Sequence, residues 1–103
     1  MSQIRFSTTT HRVLAGWDRP LQQCFLVVDD GLDTVYYSNL ADRRLPRGDM
    51  TPALVLARLT DLGVPTPPTL EAVLRAHVDE NAGNVAVLLG TYTGATWIVP
   101  NEH

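Results

Sequence analysis

Lysine is absent from this chain of 103 residues, and all eight of its basic residues are arginine. Against eleven acidic residues they leave a net charge of −3, which gives no general attraction to polyanions and argues against a dedicated nucleic-acid binder. Arginine without lysine, together with plentiful Ala, Val, Leu and Pro, reflects GC-rich codons and supports a bacterial source. Cysteine occurs once, so no internal disulfide can form, and Cys24 at the head of an apolar run reads as a reduced, buried thiol. A cytoplasmic location is the expectation. Apolar runs are short: none approaches the roughly 20 residues of a membrane span, and Met1 to Ser7 lacks the apolar region of about 7 to 15 residues that a secretory signal requires. Also missing are a Walker loop, a Gly-rich dinucleotide fingerprint, Cys-x-x-Cys, His-Glu-x-x-His and a calcium loop, so the sequence implies no cofactor and no metal.

What is present describes a fold. Val13-Leu14-Ala15, Cys24-Phe25-Leu26-Val27-Val28 and Val35-Tyr36-Tyr37 are short runs rich in β-branched and aromatic residues. Gly16 to Pro20 and Asp29-Asp30-Gly31 separate them, the pattern of an antiparallel meander. Residues 1 to 10 hold only Ile4 and Phe6 as sizeable apolar groups and read as a flexible arm or as an extension of the first strand. Residues 39 to 48 read as loop. Thr51 is the expected N-cap of a helix over about residues 51 to 62, with Pro52 at its first position and Gly63 as its left-handed terminator. Val55, Leu56, Leu59 and Leu62 form its apolar stripe. After the rigid connector Val64 to Thr69, a second helix reaches about residue 80, with Leu70, Val73, Leu74, His77 and Val78 on one face.

Asn84 to Leu89 and Thr96 to Val99 complete the set as two further strands around Gly90 to Gly94, the last stopped by Pro100. Strands grouped before helices predict an α+β domain over residues 11 to 103. Its sheet is antiparallel, with four to five strands in the order strand, strand, strand, helix, helix, strand, strand, and the helix pair covers one face.

Chemistry is sparser. Cys24 with His11 or His77 has the residue types of a nucleophile and its base, but a cysteine within an apolar strand behaves as a small hydrophobe. Asp29, Asp30 and Asp33 could hold a hard cation, yet their spacing is not that of a calcium loop, and Asp is a standard turn residue. His77 shares an apolar helix stripe, which places it at the edge of the core with one ring nitrogen bonded. Arg43, Arg44 and Arg47 form the only dense basic cluster and could grip phosphate or carboxylate groups; the alternative is a solvated loop paired with Asp42 and Asp49. Trp17, Asp18, Arg19 and Leu21 combine with Pro20 in a turn whose residue types are enriched at binding hot spots, unless Trp17 folds back over the sheet and Asp18 caps the turn.

The function these features support is a small non-catalytic protein-interaction module, of the kind found among accessory or inhibitory proteins of mobile elements. It would bind a protein partner, or itself, through a sheet edge and the Trp17 to Leu21 turn. A nucleic-acid-associated regulator using the arginine loop is second, and a small enzyme built on Cys24 or the histidines is third.

Overall fold

Alternation at the N-terminus decides the centre of the sheet. In Ser2–Ser7 (β1), Ser2, Ile4 and Phe6 are buried while Arg5 is exposed, so this segment has a core face and an outer face of its own. Residues expected as an arm or an extension therefore form a separate strand, paired antiparallel with Arg12–Asp18 (β2) on one side and parallel with Val85–Tyr92 (β5) on the other. The computed structural model describes residues 1–45 and 50–99; Arg47, Asp49 and Pro100, to which the sequence assigned roles, lie outside the described residues. The meander continues through Gln23–Asp29 (β3) and Val35–Ser38 (β4), and Trp97–Ile98 (β6) pairs with β5. The sheet runs β4-β3-β2-β1-β5-β6. It is the expected α+β arrangement with one extra strand, and it is antiparallel apart from the β1–β5 pair. That parallel pair is open to the chain because the long helical excursion between β4 and β5 lets β5 return in either direction.

Two helices, Pro52–Asp61 (α1) and Leu70–Asp79 (α2), cover one face. The Thr51 side chain accepts a hydrogen bond from the Leu54 N–H, and Pro52 occupies the first turn, where no N–H is needed. Gly63 at φ 69° ends α1: its N–H bonds the Thr60 carbonyl at 3.0 Å, and the Val64 N–H reaches the Leu59 carbonyl at 3.0 Å. That double bond is the Schellman stop. α2 ends the same way, with Asn81 at φ 50° in the glycine position and the Ala82 N–H bonded to the His77 carbonyl at 2.9 Å. Asn81 has a second use. Its Oδ1 accepts from Trp17 Nε1 at 3.0 Å and from Gln22 Nε2 at 2.7 Å, tying the end of α2 to the β2–β3 turn.

The core follows the register. Ile4, Ala15 and Leu26 lie side by side across β1, β2 and β3, as do Phe6, Val13 and Val28, with Tyr37 next on β4. Cys24 and Trp17 share this face, and Val55, Leu59, Leu70 and Leu74 close over it. Leu62 and Val73, expected in the same layer, are only partly buried against it. At the far side, Trp97 packs edge-on against Phe6, ring centroids 5.7 Å apart. Leu59 is fully buried, so Leu59→Ala should destabilise the protein by about 2 to 5 kcal/mol in denaturant melts. A loss under about half a kcal/mol would mean that the helix pair does not pack as described.

Candidate functional site

Among the described residues, no helix covers the sheet's second face. Reading the register outward from β1, Arg5 lies between Leu14 on β2 and Leu88 on β5, and Leu14 continues to Val27 and Ser38. The next row is Thr91, Ser7, Arg12 and Asp29. Leu14 and Val27 are half-buried, and Leu88 is 58% exposed. Between these rows runs a groove of about 380 Å³ whose lining includes Arg5, Arg12, Leu14, Val27, Asp29 and Leu88. In the adjacent row Phe25 faces Gly16, and its ring lies over it; a Cβ there would be 2.9 Å from Phe25 Cζ and would collide with the Ser2 carbonyl. Glycine is therefore required at this close approach.

Polar groups border the apolar floor and bond to one another. Arg12 Nε donates to Asp29 Oδ1 at 3.0 Å, Arg5 Nη2 donates to Gln3 Oε1 at 3.0 Å, and the Ser7 and Thr91 hydroxyls are 3.2 Å apart. The hydrogen bond from Arg12 holds the Asp29 carboxyl below its usual range, helped by the Gly31 N–H. Arg5 differs from Arg12 because its bonded partner, an amide, is neutral. Arg5 thus has no ion-pair partner among the described residues. Of these residues only Asp29 was a candidate from sequence, as a turn carboxylate for a cation, although the alternation of Arg12, Leu14 and Gly16 with Val13, Ala15 and Trp17 carries the signal.

The residues that were candidates are placed differently from one another. Trp17 is only 8% exposed and sits in the core. Asp18 Oδ1 accepts the Leu21 N–H at 3.3 Å across the turn. A partner on this turn would meet Arg19, Pro20 and Leu21, which are exposed, and not the indole. In the arginine loop, Arg44 is held by both oxygens of Asp42, at 2.9 and 3.0 Å, while Arg43 is exposed with no hydrogen bond among the described residues. Asp42 also accepts from Tyr37 Oη at 2.7 Å and lies 3.5 Å from Arg58 Nε, an ion-pair contact that does not meet hydrogen-bond geometry. The Arg44 and Tyr37 bonds hold the Asp42 carboxyl far below the usual range, and burial with the Asp42 bond pushes the Tyr37 phenol up to about 12.

Cys24 is fully buried on the helix-covered face, and that burial raises its thiol to about 11. His77 is buried at the core edge, but its Nδ1 has no hydrogen-bond partner, unlike the bonded ring expected there. Asp30 Oδ1 accepts the Leu32 and Thr34 N–H groups at 2.8 and 3.2 Å, as a turn residue does. No group of three His, Cys, Asp or Glu side chains among the described residues could hold a metal, and no helix among them is long and apolar enough to cross a membrane.

Two outcomes follow. A carboxyl depressed in the folded state stabilises the fold above the ordinary carboxylate range, and that contribution is lost as pH falls toward the folded value. The stability of the wild type should therefore drop more steeply between about pH 5 and pH 2 than that of Asp42→Asn, measured by urea melts across that range; parallel curves would remove Asp42 from the linkage. Cys24 should label slowly with a thiol reagent at neutral pH in the native state and rapidly in denaturant. Fast native labelling would reinstate it as a nucleophile.

Comparison with protein-family models, curated proteins and solved structures gives no match to this chain.

Proposed function

We propose that this chain is a small non-catalytic protein-interaction module whose binding surface is the bare face of its sheet. One observation carries the reading: Leu14 and Val27, with Leu88 on the other side of Arg5, form an apolar floor in a groove rimmed by paired polar groups, the pattern of an apolar centre inside a polar border that recurs at interfaces. The edge strands are short, β4 with four residues and β6 with two; the outer side of β3 beyond β4 is engaged by the Asn39 side chain at Leu26 and the Met50 carbonyl at Cys24, whereas β6 pairs only Thr91 and Tyr92 of β5. A catalytic reading lacks an activated group, because Cys24 is buried with a raised pKa. A nucleic-acid reading loses Arg44 to Asp42. The arginine-only base content and the single buried thiol support a bacterial cytoplasm as the setting.

Selection of random peptides displayed on phage against the immobilised protein tests the surface. Peptides so recovered should bind Leu88→Glu at least about tenfold more weakly than wild type, a loss of roughly 1.4 kcal/mol, and should bind Leu21→Glu unchanged. Both side chains are exposed, so the variants should fold alike. Loss of binding on Leu21→Glu alone would move the surface to the Trp17 to Leu21 turn.

A further inference from the structure

The bare face is not chemically neutral, and this limits what can lie on it. Arg12 and Asp29 cancel, being 3.0 Å apart. Arg5 spends one Nη2 bond on the uncharged Gln3 amide, leaving Nε and Nη1 without hydrogen-bond partners among the described residues. Either of those nitrogens can donate a charge-assisted hydrogen bond to a carboxylate. The cross-strand register sets leucines on either side of this cation, Leu14 and Leu88, at the separation of about 4.5 to 5.5 Å typical of facing side chains. The face therefore combines an unbalanced positive charge with an aliphatic floor within one side-chain length.

Resting on the proposed use of this face, we infer that its occupant is a segment of a partner protein presenting an aliphatic side chain beside a carboxylate. The aliphatic group covers Leu14, Val27 and Leu88, and the carboxylate pairs with Arg5. Long-range attraction between this cation and an acidic segment also favours encounter, and it weakens with salt. A second copy of the chain fits less well, since two-fold pairing of the Leu14 and Leu88 floors would set Arg5 against the Arg5 of the other copy.

The test uses two blocked tripeptides as probes, acetyl-Leu-Ser-Glu-amide and acetyl-Leu-Ser-Gln-amide, titrated into the ¹⁵N-labelled full chain at millimolar concentration. In an extended tripeptide the first and third side chains share a face, so Leu and the carboxylate can engage together. The Glu probe should shift the amides of Arg5, Leu14, Val27 and Leu88 and bind about fivefold tighter than the Gln probe, the ratio expected of an exposed ion pair. In Arg5→Gln the two probes should bind equally while the Gln probe keeps its wild-type affinity, which shows that the variant is folded and its floor intact. Equal binding of both probes to wild type would overturn the carboxylate assignment and leave the bare-face reading standing. Shifts confined to another surface, or none with either probe, would overturn both. Sedimentation showing a dimer dispersed by Leu88→Glu would make the occupant a second copy and overturn the inference.

Discussion

Two helices of ten residues can shield one face of this sheet and no more. Each is about 15 Å long, whereas six strands span roughly 24 Å across. α1 lies over β3 and α2 over β2, so the helix layer is centred on the meander and thins toward β5. There the covered face is closed by side chains of the sheet itself, through the Phe6–Trp97 edge contact and the Trp97–Tyr92 stack at 5.1 Å. On the opposite face no described element forms a second layer. Its composition, with polar pairs around a small apolar floor, is a consequence of that shortage of helix.

The same economy appears in how buried backbone groups are satisfied. β4 is too short to pair the whole of β3, so the Leu26 N–H bonds the Asn39 side chain at 3.1 Å and the Cys24 N–H bonds the Met50 carbonyl at 3.0 Å. At the other end, the Trp17 N–H is taken by the Ser2 hydroxyl at 2.9 Å. Burial makes each of these bonds necessary, since an unpaired buried amide costs about 1 to 3 kcal/mol. Asn81 extends the pattern: the left-handed conformation that stops α2 also aims its carboxamide at the indole of Trp17. A helix terminator and a turn clamp are thus one residue.

Much of this architecture is legible in the sequence because it depends on local chemistry. Thr51, Pro52 and Gly63 mark α1 through capping and backbone conformation, and Val55 and Leu59 mark its buried face by spacing alone. β1 is harder to see, because Ile4 and Phe6 are two apolar residues among Ser, Thr, Gln and Arg, and the strand exists through pairing with β2 and β5, which are distant in sequence. The parallel sense of β5 is equally non-local. At Trp17 a clearer rule was available: with Val13 and Ala15 it shares an odd-numbered alternation that points inward as soon as Arg12–Asp18 is read as one continuous strand. Treating Gly16 as a break hid that parity. The bare face was obscured for the opposite reason, since Cys24 to Val28 is apolar on both sides and alternation cannot say which side is covered.

An antiparallel sheet with one wet face is ordinary, and scattered apolar residues on such a face require no explanation. The arrangement here is not scattered. Phe25 has a structural role in covering Gly16, where no side chain fits, and this accounts for one aromatic on the outer face. Leu14, Val27 and Leu88 have no such role, yet they occupy a single cross-strand row interrupted only by Arg5. In the neighbouring row the solvent-facing positions Ser7, Arg12, Asp29 and Thr91 are filled by groups that bond to each other across strands. Two adjacent rows on one surface, under the same packing constraint, have thus taken opposite chemistries. Folding alone would tolerate polar residues in both, so the packing of the fold does not by itself account for the apolar row.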